Sequence, residues 1–132
     1  MKKLKGLILM LTISLSLFCL GGCQDGGKAA TYEQITPEQA KTIMDTEKDY
    51  IIIDARTDSE FAEGHIEGAV LIPEYEIAAR AEKELPEKDA LILVYCRSGR
   101  RSKIASEELI KLGYTNVKEF GSIIDWPYEI VK

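Results

Sequence analysis

Hydrophobic and polar positions from Thr31 onward follow two alternating periods, which predicts a chain that alternates between strands and helices. Short apolar runs rich in β-branched residues predict strands over 32–35, 50–53, 69–72, 91–95 and 116–120. Apolar residues at helical spacing predict helices that begin at the capping box Thr36-Pro37-Glu38-Gln39 and that cover 58–62, 77–85 and 104–112. A small terminal helix, interrupted by Pro127, is predicted over 122–131.

This order of elements predicts a three-layer α/β fold with a mostly parallel central sheet of about five strands and helices on both faces. In such sheets, functional sites form beyond the carboxyl ends of the strands. Asp54 and Cys96 each follow a predicted strand directly. We therefore expect both side chains at the same edge of the sheet.

Residues 1–22 have the features of an export signal. They contain three lysines, no acid, and the apolar run 7–20, whose 14 residues are fewer than the about 20 that a spanning helix needs. The sequence Leu20-Gly21-Gly22-Cys23 resembles the lipobox of bacterial lipoproteins. This resemblance implies cleavage before Cys23, a lipid on its sulfur, and an extracytoplasmic protein anchored to a bacterial membrane. The alternatives are an ordinary signal peptide with an incidental Cys23 and an uncleaved anchor.

The expected organisation is therefore a signal peptide over 1–22, a lipidated flexible tether over 23–30 and one domain over 31–132. The 132-residue chain is 45% hydrophobic, so it can bury the core of one domain. Its formal net charge is −5, and without residues 1–22 it has 14 basic and 22 acidic residues, a net charge of −8. This acidity argues against a nucleic-acid-binding protein, which needs a broad basic face.

Of the three cysteines, Cys96 is the one expected to be a free thiol. Cys19 would leave with the signal peptide and Cys23 would carry lipid, so Cys96 would be the one free thiol of the mature protein. An exported protein usually pairs its cysteines, so a lone thiol is either buried and inert or reactive.

The neighbours of Cys96 favour reactivity. The segment Cys96-Arg97-Ser98-Gly99-Arg100-Arg101-Ser102 joins the predicted strand 91–95 to the helix that contains 104–112. Backbone N–H groups in a tight loop before a helix form a cradle for an anion. The helix N-terminus and three arginines stabilise a thiolate, and the ring of N–H donors can hold a second sulfur as a persulfide.

Three segments in order resemble those of single-domain rhodaneses, which are sulfurtransferases. They are Asp54-Ala55-Arg56 with Glu60-Phe61, then Gly64-His65-Ile66-Glu67-Gly68-Ala69, and finally the loop 96–102. The resemblance extends from about Tyr32 to Trp126 and implies a rhodanese-like fold. It also implies transfer of sulfane sulfur from a small anionic donor such as thiosulfate to a thiophilic acceptor, with no cofactor and no metal.

The resemblance also implies roles for individual residues. Cys96 would be the nucleophile that forms the persulfide, and backbone amides of Arg97, Ser98, Gly99, Arg100 and Arg101 would line the pocket, with the arginine side chains meeting the donor. Asp54 would help to brace the active loop. Arg56 would pair with an acid, for which Glu60 is the candidate.

The sequence departs from the family near its end. Rhodanese domains often have Gly-Gly before x-x-x-Trp, whereas here Gly121-Ser122 precedes Ile123-Ile124-Asp125-Trp126. Because of this departure, the resemblance does not predict the backbone conformation at Ser122.

Other functions remain as alternatives. A phosphatase or arsenate reductase of the C-x5-R kind needs an arginine at position 102, where this chain has serine. A thioredoxin-like reaction needs a second cysteine near Cys96, and a metal site is disfavoured because His65 is the one histidine in the chain. A non-catalytic sulfur-relay or redox-sensing binding module is the main alternative to an enzyme.

Overall fold

The computed structural model describes residues 30–132, which form alternating strands and helices. The strands are β1 (Glu33–Gln34), β2 (Ile51–Asp54), β3 (Val70–Leu71), β4 (Ile92–Cys96) and β5 (Val117–Ser122). The helices are α1 (Pro37–Thr46), α2 (Asp58–Glu63), α3 (Ile77–Glu84) and α4 (Arg100–Lys111), with one-turn 3₁₀ helices at Glu74–Glu76 and Ile123–Asp125. The predicted signal peptide, the lipidated Cys23 and all but the last residue of the predicted tether lie outside the described residues.

The five strands form one sheet in the order β1-β5-β4-β2-β3, and every strand pair is parallel. This confirms the predicted α/β class and the central sheet of five strands. β4 is the middle strand, and Cys96 is its last residue. Asp54 ends the neighbouring strand β2 and is in register with Tyr95, so both predicted residues lie at the carboxyl edge of the sheet.

Alternation along β4 divides the core into two layers. Ile92, Val94 and Cys96 face the layer covered by α3 and α4, whereas Leu93 and Tyr95 face the layer that contains Ala40 of α1 and Trp126. Helices therefore cover both faces of the sheet. Cys96 is directed toward α4, which begins four residues later.

Local sequence signals explain the helix boundaries. Thr36 and Thr57 each accept a hydrogen bond from the backbone N–H three residues ahead and form full capping boxes at α1 and α2. α2 ends at Gly64, and α3 ends before Pro86. These starts and stops agree with the predictions.

The predicted helix over 122–131 is wrong. The segment instead makes the single 3₁₀ turn Ile123–Asp125 and then an extended tail in which Val131 pairs antiparallel with His65. Pro127 explains the difference, because the residue before a proline disfavours the helical conformation, and Trp126 is extended with ψ 109°.

Within residues 30–132, no helix is both long and apolar enough to cross a bilayer.

Candidate active site

Cys96 lies where the central strand β4 meets the start of α4, the longest helix among residues 30–132. Its side chain has no exposed area, and it packs in the layer beneath α4. The chain turns from β4 into α4 within three residues, 97–99, and this turn requires Gly99, whose φ of 95° is in the left-handed region. The short turn brings the backbone N–H of Gly99 to the sulfur.

The sulfur has two polar contacts. The backbone N–H of Gly99, the N-cap residue of α4, donates to Cys96 Sγ at 3.0 Å, and the thiol contacts Ser102 Oγ at 3.3 Å. An N–H donor at a helix N-terminus stabilises negative charge on the sulfur. Of the backbone amides predicted to line the pocket over 97–101, the N–H of Gly99 is the one that hydrogen-bonds the sulfur in this structure.

Ser102 connects the sulfur to a carboxylate that the sequence analysis did not identify. Ser102 Oγ lies 2.6 Å from Oε1 of Glu119 and 3.0 Å from the carbonyl oxygen of Gly99. Both Ser102 and Glu119 are buried. The alternation of β5 contained the signal, because Glu119 occupies the same face as the core residue Val117, where an apolar residue is expected.

The three loop arginines do not have the same role. The Arg101 guanidinium donates to both carboxylate oxygens of Glu60, at 2.7 and 2.8 Å, and this pairing lowers the pKa of Glu60 to about 2. Arg97 and Arg100 are exposed and form no ion pair with any residue between 30 and 132. The expectation that all three arginines meet the donor is therefore corrected: Arg101 fastens α4 to α2, whereas Arg97 and Arg100 are available to an anion.

The predicted pair of Arg56 with Glu60 is also corrected. Arg56 Nη2 and Nε donate to the carboxylate of Asp54 at distances down to 2.7 Å, and Nη2 also donates to the carbonyl oxygen of Gly64. The local turn after β2 folds Arg56 back over Asp54, while the α2 capping box directs Glu60 toward Arg101. Burial alone lowers the pKa of Arg56, but the hydrogen bonds and charge of Asp54 outweigh burial and raise it.

Asp54 stabilises the strand of the nucleophile rather than the loop itself. Its carboxylate accepts a hydrogen bond of 2.6 Å from Tyr95 Oη, and Tyr95 directly precedes Cys96. Burial, and next the charge of Asp54, raise the pKa of Tyr95 above its ordinary value. The expected bracing of the loop by Asp54 is thus indirect, and Glu60 makes the direct contact through Arg101.

Ser122 gives the departure from Gly-Gly a structural explanation. Its backbone is extended, with φ −115°, so this position does not need glycine, and the left-handed conformation is taken by Gly121, with φ 88°. Ser122 Oγ donates to the carbonyl oxygen of Arg97 and accepts from the N–H of Ile124. The serine therefore fastens β5 to the active loop.

Among residues 30–132, no group of three His, Cys, Asp or Glu side chains is placed to hold a metal ion.

Comparison with known proteins assigns the family. The model of the family "Rhodanese-like domain" matches residues 36–126. The chain belongs to the rhodanese-like domain family. That match includes Cys96, Ser102 and Glu119, and it covers most of the described residues.

Individual relatives of this rhodanese-like domain are named as sulfurtransferases. It is 37% identical over 73 residues to thiosulfate sulfurtransferase PspE of Escherichia coli, an alignment that covers 55% of this chain and 70% of PspE. It is 40% identical over 88 residues to a sulfurtransferase of Allochromatium vinosum, which covers 66% of this chain and 79% of the relative. The structure titled "rhodanese with anions from E. coli" superposes with a TM-score of 0.60 at 35% identity, covering 63% of this chain and 98% of that one.

Proposed function

We propose that the protein is a sulfurtransferase that moves sulfane sulfur from an anionic donor such as thiosulfate to a thiophilic acceptor through a persulfide on Cys96. The observation that carries this proposal is the position of Cys96 Sγ. Cys96 is the last residue of the central strand of a rhodanese-like domain, and its sulfur accepts a hydrogen bond from the Gly99 N–H at the start of α4. The relatives named as sulfurtransferases support the reaction class.

The first half-reaction forms the persulfide. The Cys96 thiolate attacks the outer sulfur of thiosulfate, a bond forms between the two sulfurs, and the sulfur–sulfur bond to the sulfonate group breaks. Sulfite leaves with the electron pair, and the enzyme becomes a persulfide anion. The N–H of Gly99 is positioned to donate to negative charge on the sulfur.

The second half-reaction returns the cysteine. A thiophilic acceptor such as cyanide or a thiolate attacks the outer sulfur of the persulfide, and the bond to Cys96 Sγ breaks with its electron pair on Cys96. No net oxidation of the protein occurs over the cycle. This explains how a site with a single cysteine completes the cycle without a resolving partner.

The exposed arginines favour an anionic donor. Arg97 and Arg100 are exposed residues at the two ends of the turn between β4 and α4, in a chain of net negative charge. The solved structure of a rhodanese with anions from E. coli supports this proposal. Because Cys96 has no exposed area, a donor reaches its sulfur only after local movement at the loop.

A phosphatase reaction is less well supported by the same contacts. The position that would need an anion-binding arginine is the buried Ser102, and its neighbour Arg101 is held by Glu60. Neither side chain is available to form a fork on a tetrahedral oxyanion.

Turnover with thiosulfate and cyanide tests the proposed activity. We expect thiocyanate and sulfite in equal amounts, and we expect the rate to fall by at least about 10³-fold in Cys96→Ser, because serine forms no persulfide. Arg100→Ala should raise the KM for thiosulfate by about tenfold through loss of one charge-assisted contact. Equal turnover by Cys96→Ser would contradict the proposal.

We also propose that residues 1–22 export the domain and that a lipid on Cys23 anchors it to a bacterial membrane, outside the cytoplasm. The basic residues of 1–5, the apolar run 7–20 and the sequence Leu20-Gly21-Gly22-Cys23 support this placement. Cys23→Ser should move the protein from the membrane fraction to the soluble fraction. An unmodified Cys23 in the mature protein would contradict it.

A further inference from the structure

Glu119 is a buried carboxylate that pairs with no cation of the described residues. Its residue is 3% exposed, and no lysine or arginine between residues 30 and 132 forms an ion pair with it. Oε2 receives a long contact of 3.5 Å from Nε2 of Gln34, and Oε1 receives the short contact of 2.6 Å from Ser102 Oγ. A buried charge is ordinarily paired with an opposite charge, so an unpaired one points to a function.

The contacts of Glu119 form one line that ends at the nucleophile. Cys96 Sγ lies 3.3 Å from Ser102 Oγ, which lies 2.6 Å from Glu119 Oε1. The two hydrogen bonds can run head to tail, since the thiol donates to the serine oxygen and the serine hydroxyl donates to the carboxylate. A thiol and a base are thereby joined through one hydroxyl.

We propose that Glu119 is a positioning residue of the site, which takes the proton of Cys96 through the hydroxyl of Ser102. The Cys96 S–H bond breaks as the sulfur proton passes to Ser102 Oγ, and the original Ser102 proton passes to Glu119 Oε1. The products are a Cys96 thiolate, an intact Ser102 hydroxyl and a neutral Glu119 acid. Sulfur transfer by this thiolate rests on the proposed function, whereas the proton transfer itself does not.

We call this proton transfer from Cys96 to Glu119 through Ser102 the relay. It leaves the thiolate with hydrogen-bond donors from the protein. After the transfer, the Glu119 acid donates to Ser102 Oγ, and the Ser102 hydroxyl donates to the sulfur beside the N–H of Gly99. One negative charge moves from Glu119 to Cys96, and the buried cluster gains no net charge. The desolvation cost of creating a second buried anion is avoided.

Other ionisable groups lie near the line formed by Cys96, Ser102 and Glu119. Near Cys96, the Arg101 guanidinium interacts with the charges of Cys96 and Asp54, but its hydrogen bonds go to Glu60. Near Glu119, burial first, and then the charges of Glu107 and Glu119, raise the pKa of Tyr32.

Of these groups, Glu119 is the one that hydrogen-bonds Ser102. It is thus the base in a position to exchange a proton with the thiol through that hydroxyl.

The pH dependence of Cys96 alkylation tests the proposal in the full chain. Iodoacetamide reacts with the thiolate, and mass spectrometry of the peptide containing Cys96 reads the rate. When a thiol and a carboxylate share one proton, the fraction of thiolate is constant over the pH range in which the pair holds that proton. We therefore expect a plateau of at least about one pH unit between pH 5 and 8, at reagent concentrations where the rate is proportional to concentration.

Variants separate the relay from a structural role. In Glu119→Gln the side chain can hydrogen-bond Ser102 but cannot accept a proton, so the plateau should give way to a rise of about tenfold per pH unit. Ser102→Ala removes the hydroxyl that hydrogen-bonds both groups, so their coupling should weaken and the plateau should become shorter than in the wild type. Glu107→Gln is the matched control, because it removes one exposed negative charge near Tyr32 without touching Ser102, and it should keep the plateau.

The outcomes are decisive even if a variant folds poorly, because the wild-type profile is itself a test. A rise of about tenfold per pH unit across the whole range in the wild type would overturn the proposal, as would an unchanged plateau in folded Glu119→Gln. Wild-type protein that shows the plateau but takes up no sulfur would leave the relay standing and contradict the proposed function. Sulfur uptake by a wild-type protein without the plateau would overturn the relay and leave the proposed function standing.

Discussion

Two carboxylates are buried close to Cys96, and their surroundings are opposite. Asp54 has no exposed area and accepts hydrogen bonds from the guanidinium of Arg56, 2.7 Å away, and from the hydroxyl of Tyr95. Glu119 is almost as deeply buried, but its short contact is to the hydroxyl of Ser102. They lie on opposite faces of the same sheet, one beside Tyr95 and the other beneath α4.

The difference separates a structural carboxylate from one suited to chemistry. Asp54 forms an ion pair with Arg56, and both of its carboxylate oxygens accept hydrogen bonds from Arg56 or Tyr95. No lysine or arginine among residues 30–132 pairs with Glu119, which is joined to the nucleophile through a hydroxyl that can donate or accept. Equal burial therefore does not imply equal function, because the nearest partner decides what the group can do.

Removal of the cation of Asp54 should have the largest effect on stability. Arg56→Ala leaves a fully buried carboxylate without its ion pair, and we expect the free energy of unfolding to fall by about 3–5 kcal/mol. Cys96 alkylation in the molecules that remain folded should change much less. Urea unfolding measures the first effect, and Arg80→Ala is the matched control, because the exposed pairs of Arg80 with Glu76 and Glu84 should contribute less than about 1 kcal/mol.

An Arg56→Ala variant that unfolds at the same urea concentration as the wild type, yet loses sulfur transfer, would place Arg56 in the reactive site. That result would remove the contrast between the two carboxylates.

A smaller, pH-dependent effect on stability is expected for the ion pair of Glu60 with Arg101, which connects α2 to α4. The pKa of Glu60 is about 2, below its ordinary value of 4.5, chiefly because of its hydrogen bonds from Arg101. The folded state therefore favours ionised Glu60, and the stabilisation is fully present above about pH 4.5 and is lost as the pH falls through about 2. Glu60→Gln should cost about 1 kcal/mol at pH 7, with a difference from wild type that shrinks between about pH 4.5 and 2.

Thermal unfolding at several pH values measures this difference. Glu63→Gln, on the same helix and exposed, should show no comparable loss. A Glu60→Gln loss that stayed constant down to pH 2 would mean that the pair with Arg101 is not its source.

Glu119→Gln should be tolerated far better than the loss of Arg56. No ion pair is broken, the amide can donate to Ser102 Oγ, and a buried charge is removed, so we expect the free energy of unfolding to change by less than about 1 kcal/mol. Equilibrium unfolding beside Arg56→Ala makes the comparison directly. A loss as large as that of Arg56→Ala would make Glu119 a structural carboxylate like Asp54.

Ser102 and Ser106 lie one turn apart on α4 and differ in their hydrogen bonds. Both are buried, but Ser102 contacts the sulfur and a carboxylate, whereas Ser106 Oγ makes no hydrogen bond within the described part of the chain. Removing an unpartnered hydroxyl avoids its desolvation cost, so Ser106→Ala should be neutral or stabilising by up to about 1 kcal/mol. Ser102→Ala should instead destabilise by about 1–2 kcal/mol, and equal effects in a thermal melt would contradict this account.

The sequence predicted the parts of the site that follow from topology and local signals. Strand periodicity and parallel pairing placed Asp54 and Cys96 at one edge, and capping boxes fixed the starts of α1 and α2. The partner of Arg56 was assigned wrongly because the motif contains two acids, Asp54 and Glu60, and only the backbone turn after β2 decides between them.

Other features depend on packing between distant segments. Glu119 is 17 residues from Ser102 in sequence, and its role emerges only when β5 is placed beneath α4. The tail over 122–131 has apolar residues at a spacing that resembles a helix, but Pro127 and the pairing of Val131 with His65 hold it extended.

The central claim is that Cys96 receives sulfane sulfur, and mass spectrometry of the full chain after incubation with thiosulfate tests it most directly. The account predicts one added sulfur on the peptide that contains Cys96, its loss on addition of cyanide, and no addition in Cys96→Ser. Wild-type protein with no added sulfur, or an addition that persists in Cys96→Ser, would contradict it.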